Sequence, residues 1–99
     1  MVRFINCFEV PEGREDDFLA VFREINGFMA GQPGYLGHRL HRSLGPEARY
    51  RFVNSVEWAS VDDWRDAHGE QFLAMTRRPD WGFFTSTPGL YEVVDEKHI

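Results

Sequence analysis

Residues 50–58 read Tyr-Arg-Phe-Val-Asn-Ser-Val-Glu-Trp, and apolar or aromatic side chains occupy nearly every second position. A period of two is typical of a β-strand with one buried face, so this run predicts a strand whose inner face carries Asn54 and Trp58. Asn54 is the exception on that face, because its carboxamide lies in the middle of an apolar and aromatic stripe. A buried carboxamide without a partner costs about 1–3 kcal/mol.

The first predicted strand, residues 3–10, repeats this arrangement. Asn6 lies between Phe4 and Phe8 on one face of that strand. A strand asparagine can be satisfied by a neighbouring loop or a buried water, and that interpretation stays open for each amide alone. Two amides on apolar strand faces favour a cavity that needs neutral hydrogen-bonding groups.

Two helices are predicted between the strands. An acidic first turn after Pro11 opens the first helix, and residues 31–34 end it. Ser60 and Asp63 resemble a capping box that opens the second helix, which Pro79 stops. The buried stripe of the first helix falls at helical spacing and consists of Phe18, Phe22, Ile25 and Met29.

The other strands are predicted over residues 35–44, 49–59 and 90–94, with a loop at 80–89. The order βαββαβ in 99 residues predicts a single domain, residues 1–99, with an α+β ferredoxin-like sandwich and a four-stranded antiparallel sheet. Two helices cover only one face of such a sheet. The other face also carries apolar groups, so a homodimer is predicted to cover it. These groups are Ile5, Cys7, Val53, Tyr91 and Val93.

Composition and motif spacing disfavour several classes of protein. A net charge of −5 argues against nucleic-acid binding. No apolar run approaches a membrane span, and the chain leads straight into a strand without a signal peptide, so no membrane partner is expected. The single cysteine fits a reducing cytoplasm. Neither a phosphate loop, nor metal-ligand spacing, nor a nucleophilic triad is found, which predicts chemistry without metal or flavin.

A reaction with O2 needs neither metal nor flavin when the substrate itself donates the first electron to O2. An electron-rich phenolate or carbanion can do so if a protein binds the flat substrate, stabilises its anion and excludes water. Asn6 and Asn54 are the candidate donors to the developing oxyanion. Trp58, Trp64 and the phenylalanines are the candidate walls.

Three segments resemble the antibiotic biosynthesis monooxygenase family: residues 4–6, 28–35 and 52–58. The resemblance covers nearly the whole chain, and it is greatest with the small quinone-forming oxygenases of aromatic polyketide pathways. It implies a dimeric α+β barrel that oxidises an anthrone-like phenolic substrate to a quinone. It also implies O2 as co-substrate and no cofactor.

The resemblance implies site residues as well. The asparagine of strand one matches Asn6, and the asparagine and tryptophan of strand three match Asn54 and Trp58. An arginine near the end of the second helix matches Arg78 or its neighbour Arg77.

Two positions depart from the family pattern. Trp64 stands where one branch uses a tyrosine, and Cys7 stands where some members have an arginine. Heme-degrading monooxygenases of the same superfamily resemble the chain in fold and in Asn6. They place a histidine ten residues after a helix-two tryptophan, where this chain has Ala74, so heme degradation is disfavoured.

The remaining site residues are predicted from position and chemistry. His68 follows Trp64 by one helical turn and is the candidate base, since imidazole titrates near neutral pH; the alternative is a satisfied core histidine. Arg77 and Arg78 either hold an anionic substrate group at the rim or interact with the helix dipole. Trp81 forms a lid, a dimer contact or plain packing.

The leading hypothesis is a cofactor-free monooxygenase acting on a small aromatic substrate. The alternatives are a non-redox polyketide cyclase, an aromatic-ligand-binding protein and an accessory dimerisation module. The predicted catalytic residues are Asn6, Asn54, Trp58, His68 and Arg78. The predicted substrate-binding residues are Phe8, Phe22, Phe52, Trp64, Phe72, Arg77 and Trp81.

Overall fold

The computed structural model describes residues 1–98 as one four-stranded sheet with helices on one face. The elements are β1 (Val2–Glu9), α1 (Glu15–Ala30), β2 (Tyr35–Arg42), β3 (Phe52–Trp58), α2 (Val61–Ala67), α3 (Glu70–Thr76), a short 3₁₀ turn (Pro79–Trp81) and β4 (Thr85–Tyr91). The strand order is β2-β3-β1-β4 and every pair is antiparallel. The predicted ferredoxin-like α+β fold is therefore confirmed.

The register of β1 against β3 places the two predicted amides directly opposite each other. Asn6 pairs with Asn54, and the flanking pairs Phe4–Val56 and Phe8–Phe52 point to the same face. Directly opposed residues of an antiparallel pair project from the same side of the sheet. The face with Asn6 and Asn54 is the one that the helices cover.

The hydrophobic core consists of two clusters, one toward each end of the β1–β3 pair. The first is formed by Phe8, Phe18, Phe22 and Phe52. The second is formed by Met29, Val56, Trp58 and Ala67. In the register, the Asn6–Asn54 pair falls between Phe8–Phe52 of the first cluster and Val56 of the second. The polar pair thus interrupts the packed layer between sheet and helices.

The second predicted helix is two helices. Gly69 separates α2 from α3 and has an extended backbone, with φ −85° and ψ −154°. Glycine is a poor helix former, so a break at this position costs little. The break leaves His68 as the residue that ends α2. A single helix from Ser60 to Pro79 was the wrong prediction.

The last strand begins at Thr85, although the sequence predicts a loop there and a strand only from Leu90. Pro88 and Gly89 are typical of loops, but β4 is an edge strand that pairs only with β1, and an edge strand tolerates proline. As a result Ser86 lies opposite Phe8, and Pro88 lies opposite Asn6. Both residues join the face that carries the amides.

Gly34 fixes the entry into β2 next to the start of α2. Its φ is +83°, and a Cβ built there would overlap the side chain of Asp63. We expect Gly34→Ala to lower the free energy of unfolding by more than the ~1–2 kcal/mol that a left-handed backbone alone costs a non-glycine residue. Gly13→Ala is the matched control, because Gly13 has φ +84° with open space around it. Urea unfolding of both variants measures the difference, and equal losses would contradict a steric role for Asp63.

The sheet face away from the helices carries half-buried Ile5, Cys7 and Val53 and exposed Tyr91. On the same face, Arg3 and Glu57 form an ion pair across β1 and β3, with 2.7 Å between Nη2 and Oε1. Within residues 1–98, no helix has both the length and the apolar character needed to cross a membrane.

Candidate active site

A cavity of about 440 Å³ lies between the sheet and the helices, where the polar pair interrupts the core. Pockets of about 300–1,000 Å³ are typical of sites for small organic ligands. Its lining is aromatic and apolar with a few neutral polar groups. The lining residues are Phe4, Asn6, Phe8, Phe18, Phe22, Ile25, Asn26, Met29, Asn54, Val56, Trp58, Trp64, His68, Phe72, Thr76, Trp81, Phe84, Ser86 and Pro88.

The two sheet amides form the polar floor of this cavity. Asn54 is the buried polar residue of the core at 7% exposure, and Asn6 is half-buried opposite it. The Oδ1 atoms of both have no hydrogen-bond partner among residues 1–98. Each unpaired group of this kind costs about 1–3 kcal/mol. A ligand or a water that donates O–H or N–H groups at this spot removes both costs.

Two indole nitrogens are unpaired in the same way. The Nε1 atoms of Trp58 and Trp64 are buried and have no partner within the described residues. Indole Nε1 can only donate, whereas a carboxamide offers both N–H donors and an oxygen acceptor. The cavity therefore presents donors and acceptors together, which suits a ligand that bears both carbonyl and hydroxyl groups. Sequence position predicts Trp58 and Trp64 only as cavity walls, and the structure adds a donor function to both.

His68 stands inside a ring of aromatic side chains. Its ring centroid lies 4.8 Å from that of Phe72, 5.0 Å from Trp64, 5.2 Å from Phe4 and 6.1 Å from Trp58. Its Nδ1 lies 2.6 Å from the backbone oxygen of Trp64. A carbonyl oxygen can only accept, so Nδ1 carries the hydrogen. The Nε2 atom of neutral His68 is then the unprotonated nitrogen.

Burial sets the charge of this histidine. Desolvation among the aromatic rings lowers the pKa of His68 below its ordinary value, and the hydrogen bond to the Trp64 carbonyl opposes that shift only in part. The imidazole is therefore neutral at pH 7. A neutral imidazole whose Nδ1 is held by the backbone is oriented to accept a proton at Nε2.

The structure brings most of the predicted site residues to the cavity. Those in its lining are Asn6, Asn54, Trp58, His68, Phe8, Phe22, Trp64, Phe72 and Trp81. Phe52 lies beneath the lining, 1% exposed and stacked on Phe18 at 4.7 Å between centroids. Arg77 is exposed and ends α3.

Arg78 also lies outside the lining, in contrast to the sequence prediction. It is exposed, with its Nη1 3.1 Å from Glu24 Oε1 and its Nη2 3.0 Å from Asp80 Oδ2. Its hydrogen bonds hold the pKa of Asp80 below its ordinary value. The guanidinium carbon lies 4.4 Å from the ring centroid of Trp81. These contacts hold the guanidinium on the outer side of that wall, away from the amides.

Several lining residues are not among the predicted site residues. Phe4 lies on the same face of β1 as Asn6, so strand periodicity could have identified it. The apolar stripe of α1 supplies further lining residues, which helical periodicity could have identified. Ser86 and Pro88 were missed because β4 was predicted to begin too late. Asn26 gives no sequence signal, since it stands beside the apolar stripe of α1. The α1 residues in the lining are Phe18, Phe22, Ile25, Asn26 and Met29.

Comparison with known proteins agrees with this geometry. The sequence model of the antibiotic biosynthesis monooxygenase family matches residues 1–77. A protein from Shewanella loihica PV-4, described as a monooxygenase, is 32% identical with a TM-score of 0.84, covering 96% of this chain and 95% of its own. SnoaB, a cofactor-independent oxygenase from Streptomyces nogalater, is 30% identical with a TM-score of 0.80, covering 96% and 94%.

Heme-binding proteins share the fold as well. A variant of MhuD with two manganese protoporphyrin IX molecules per active site is 27% identical with a TM-score of 0.76, covering 99% of each chain. MhuD is a heme-degrader from Mycobacterium tuberculosis. The family match spans most of the chain. SnoaB is an oxygenase, and the Shewanella protein is described as a monooxygenase. The chain belongs to the antibiotic biosynthesis monooxygenase family and is a monooxygenase.

Proposed function

We propose that the protein is a cofactor-independent monooxygenase that oxidises a polycyclic, anthrone-like phenolic polyketide intermediate to a quinone. The observation that carries this proposal is the pair of opposed carboxamides, Asn6 and Asn54, at the floor of an aromatic cavity. The reaction consumes one O2 per substrate. One oxygen atom becomes the new carbonyl, and the other leaves as water with the two hydrogens of the oxidised methylene.

The first step is loss of a proton from the methylene carbon next to the rings. Nε2 of His68 accepts this proton, and the electron pair of the broken C–H bond delocalises onto the carbonyl oxygen. The N–H groups of Asn6 and Asn54 stabilise the resulting oxyanion, because donors already in place cost no reorganisation when charge develops. The indoles of Trp58 and Trp64 flank the flat anion and keep water out.

The anion then reacts with O2 directly. It transfers one electron to O2, and the radical pair combines to form a carbon–oxygen bond and a peroxide anion, to which His68 Nε2–H returns its proton. Loss of the second hydrogen from that carbon as a proton, with cleavage of the O–O bond, yields the quinone carbonyl and hydroxide, and the released proton and hydroxide combine as water. The electrons all come from the substrate, so the step needs no further reductant.

Oxygen uptake tests this proposal. Purified protein is mixed with anthrone in an oxygen-electrode cell, and metal, flavin and heme are assayed in the same preparation. The expected result is enzyme-dependent uptake of one O2 per quinone formed, with none of the three groups present in stoichiometric amount. Saturable binding of anthrone without oxygen uptake indicates a ligand-binding protein or an enzyme of non-redox chemistry, such as a cyclase.

Some related proteins bind heme, and the side chains that line this cavity decide whether heme fits here. Among the residues that the structure describes, His68 is the histidine of the lining, and four aromatic rings surround it. Among residues 1–98, the lining contains no arginine or lysine for the two heme carboxylates. The donor set therefore fits a porphyrin poorly. Titration with hemin is expected to give no saturable one-to-one shift of the Soret band.

We also propose that two copies pack together through the sheet faces that the helices leave open. Ile5, Cys7 and Val53 on that face are apolar and only partly buried in one chain. Burial of apolar surface of this kind favours association.

A charge in the middle of that face tests the dimer. We expect Val53→Asp to convert a dimer into a monomer in light scattering after size exclusion, because an unpaired carboxylate is costly to bury. Leu44→Asp is the control, since Leu44 is 98% exposed and lies outside the sheet. A wild-type protein that is monomeric at micromolar concentration would overturn this proposal.

A further inference from the structure

Three side chains outside the amide floor form a second polar cluster at the edge of the cavity. They are Asn26 of α1 and Tyr35 and His38 of β2. The Tyr35 hydroxyl lies 2.7 Å from His38 Nδ1 and 3.4 Å from Asn26 Oδ1. Nδ2 of Asn26 lies 3.3 Å from the same His38 nitrogen. Of the three, Asn26 belongs to the cavity lining.

The cluster is held against two walls of the cavity. The Tyr35 ring packs edge-on against Trp58, with 5.6 Å between centroids and 86° between planes. The His38 ring lies 5.7 Å from that of Phe22. Trp58 and Phe22 are both lining residues, so the position of Asn26 is coupled to the shape of the cavity.

The hydrogen bonds within the cluster leave Asn26 with spare capacity. An unprotonated Nδ1 has one lone pair, and the shorter contact to His38 is that of Tyr35, so the contact of Asn26 is the weaker one. A carboxamide offers two N–H donors and two acceptor lone pairs. Tyr35 and His38 together engage at most one N–H donor and one acceptor lone pair of Asn26. At least one N–H donor and one lone pair of Asn26 therefore remain for a ligand.

The lining is also free of charged side chains, within the part of the chain that the structure describes. An anionic substituent buried there would lack a partner, and burying an unpaired charge is costly. Asn6 and Asn54 project from the sheet, whereas Asn26 projects from the helix side. A ligand between the two layers can therefore meet amides at two separate places.

We infer that Asn26 is a third substrate-binding amide that recognises a neutral hydroxyl group on the ring system, away from the carbonyl held by Asn6 and Asn54. Tyr35 and His38 are positioning residues that fix the orientation of its amide. The inference rests on the proposed function and extends it to the substrate class: an uncharged polycycle with a phenolic hydroxyl apart from the reacting carbonyl. A carboxylated substrate is disfavoured.

Ligand binding tests this inference without turnover. The three tryptophans of the chain, Trp58, Trp64 and Trp81, all line the cavity, so quenching of their fluorescence reports occupancy. The probes are anthraquinone and its two monohydroxylated isomers. We expect wild type to bind at least one isomer about 3- to 10-fold more tightly than anthraquinone, which corresponds to one net hydrogen bond.

The variants separate recognition from folding. Asn26→Leu is expected to abolish the preference for the hydroxylated isomer while anthraquinone itself still binds. Tyr35→Phe is expected to reduce the preference, and Tyr50→Phe, which removes a hydroxyl outside the lining, is expected to leave it intact. A merely structural role for Tyr35 would weaken all three ligands equally and leave their ratio unchanged.

Four results would overturn all or part of the inference. If wild type binds all three ligands equally, or if Asn26→Leu keeps the preference, then Asn26 does not recognise the hydroxyl group. The oxygenase proposal is unaffected by either result. An unchanged ligand ratio in Tyr35→Phe removes the positioning role. The absence of saturable quenching by every anthraquinone removes the proposed function as well, and with it the basis of the inference.

Discussion

Asn54→Ala is expected to lower kcat for quinone formation by about 10²–10³, which is the loss typical of one donor to an oxyanion. The reason is positional. Asn54 is buried at 7% exposure opposite Asn6, in a cavity where each hydrogen bond to a developing charge is stronger than in water. The measurement is steady-state oxygen uptake with anthrone under air, at substrate concentrations that resolve kcat from KM.

The neighbouring amide provides the matched comparison. If Asn6 and Asn54 donate to the same oxyanion, the double variant loses less than the product of the two single losses, because residues that act as a unit are not additive. Anthraquinone binding by tryptophan quenching checks that each variant keeps its cavity. Wild-type turnover by Asn54→Ala with intact folding would remove this residue from the mechanism.

His68→Gln is expected to lower kcat by about 10²–10⁴, the range for loss of a general acid–base group. Glutamine keeps a side-chain donor for the Trp64 carbonyl but cannot accept the substrate proton. In wild type, the pKa of His68 lies below its ordinary value because burial disfavours the imidazolium. The base is active when deprotonated, so kcat/KM falls at acidic pH, with its midpoint below the ordinary pKa of imidazole.

The acidic limb of that profile is the distinguishing measurement. It should vanish in His68→Gln, since no other titratable group lines the cavity among residues 1–98. His68→Ala opens space at the same place, and added imidazole should restore part of its activity. A pH profile in His68→Gln with an unchanged acidic limb would show that another group accepts the proton.

The parts of the fold that rest on local periodicity could be predicted from the sequence. The alternation in residues 50–58 places Phe52, Asn54, Val56 and Trp58 on one face, and the structure buries all four. The same reasoning placed Asn6 on the inner face of β1. Strand alternation decides the face of a side chain without reference to the rest of the chain.

The features that were missed depend on contacts between distant residues. Pro88 can stand in a strand because β4 lies at the sheet edge, which the local sequence does not reveal. Arg78 is held outward by Asp80 and also by Glu24, which lies more than fifty positions earlier in the chain. Asn26 became a candidate only when β2 placed Tyr35 and His38 beside it. In each case a partner supplied by the tertiary structure decides the role.

The interrupted core has a consequence for finding the natural substrate. The opposed amides lie between the two hydrophobic clusters, so a guest molecule in the cavity would contact residues of both clusters. A guest that binds the native state alone raises the unfolding free energy by about 2.7 kcal/mol at a hundred times its Kd. For a chain of this length that is a rise of roughly ten degrees or more in Tm. Melting curves recorded across a library of hydroxylated polycycles would thus rank candidates before any turnover assay exists.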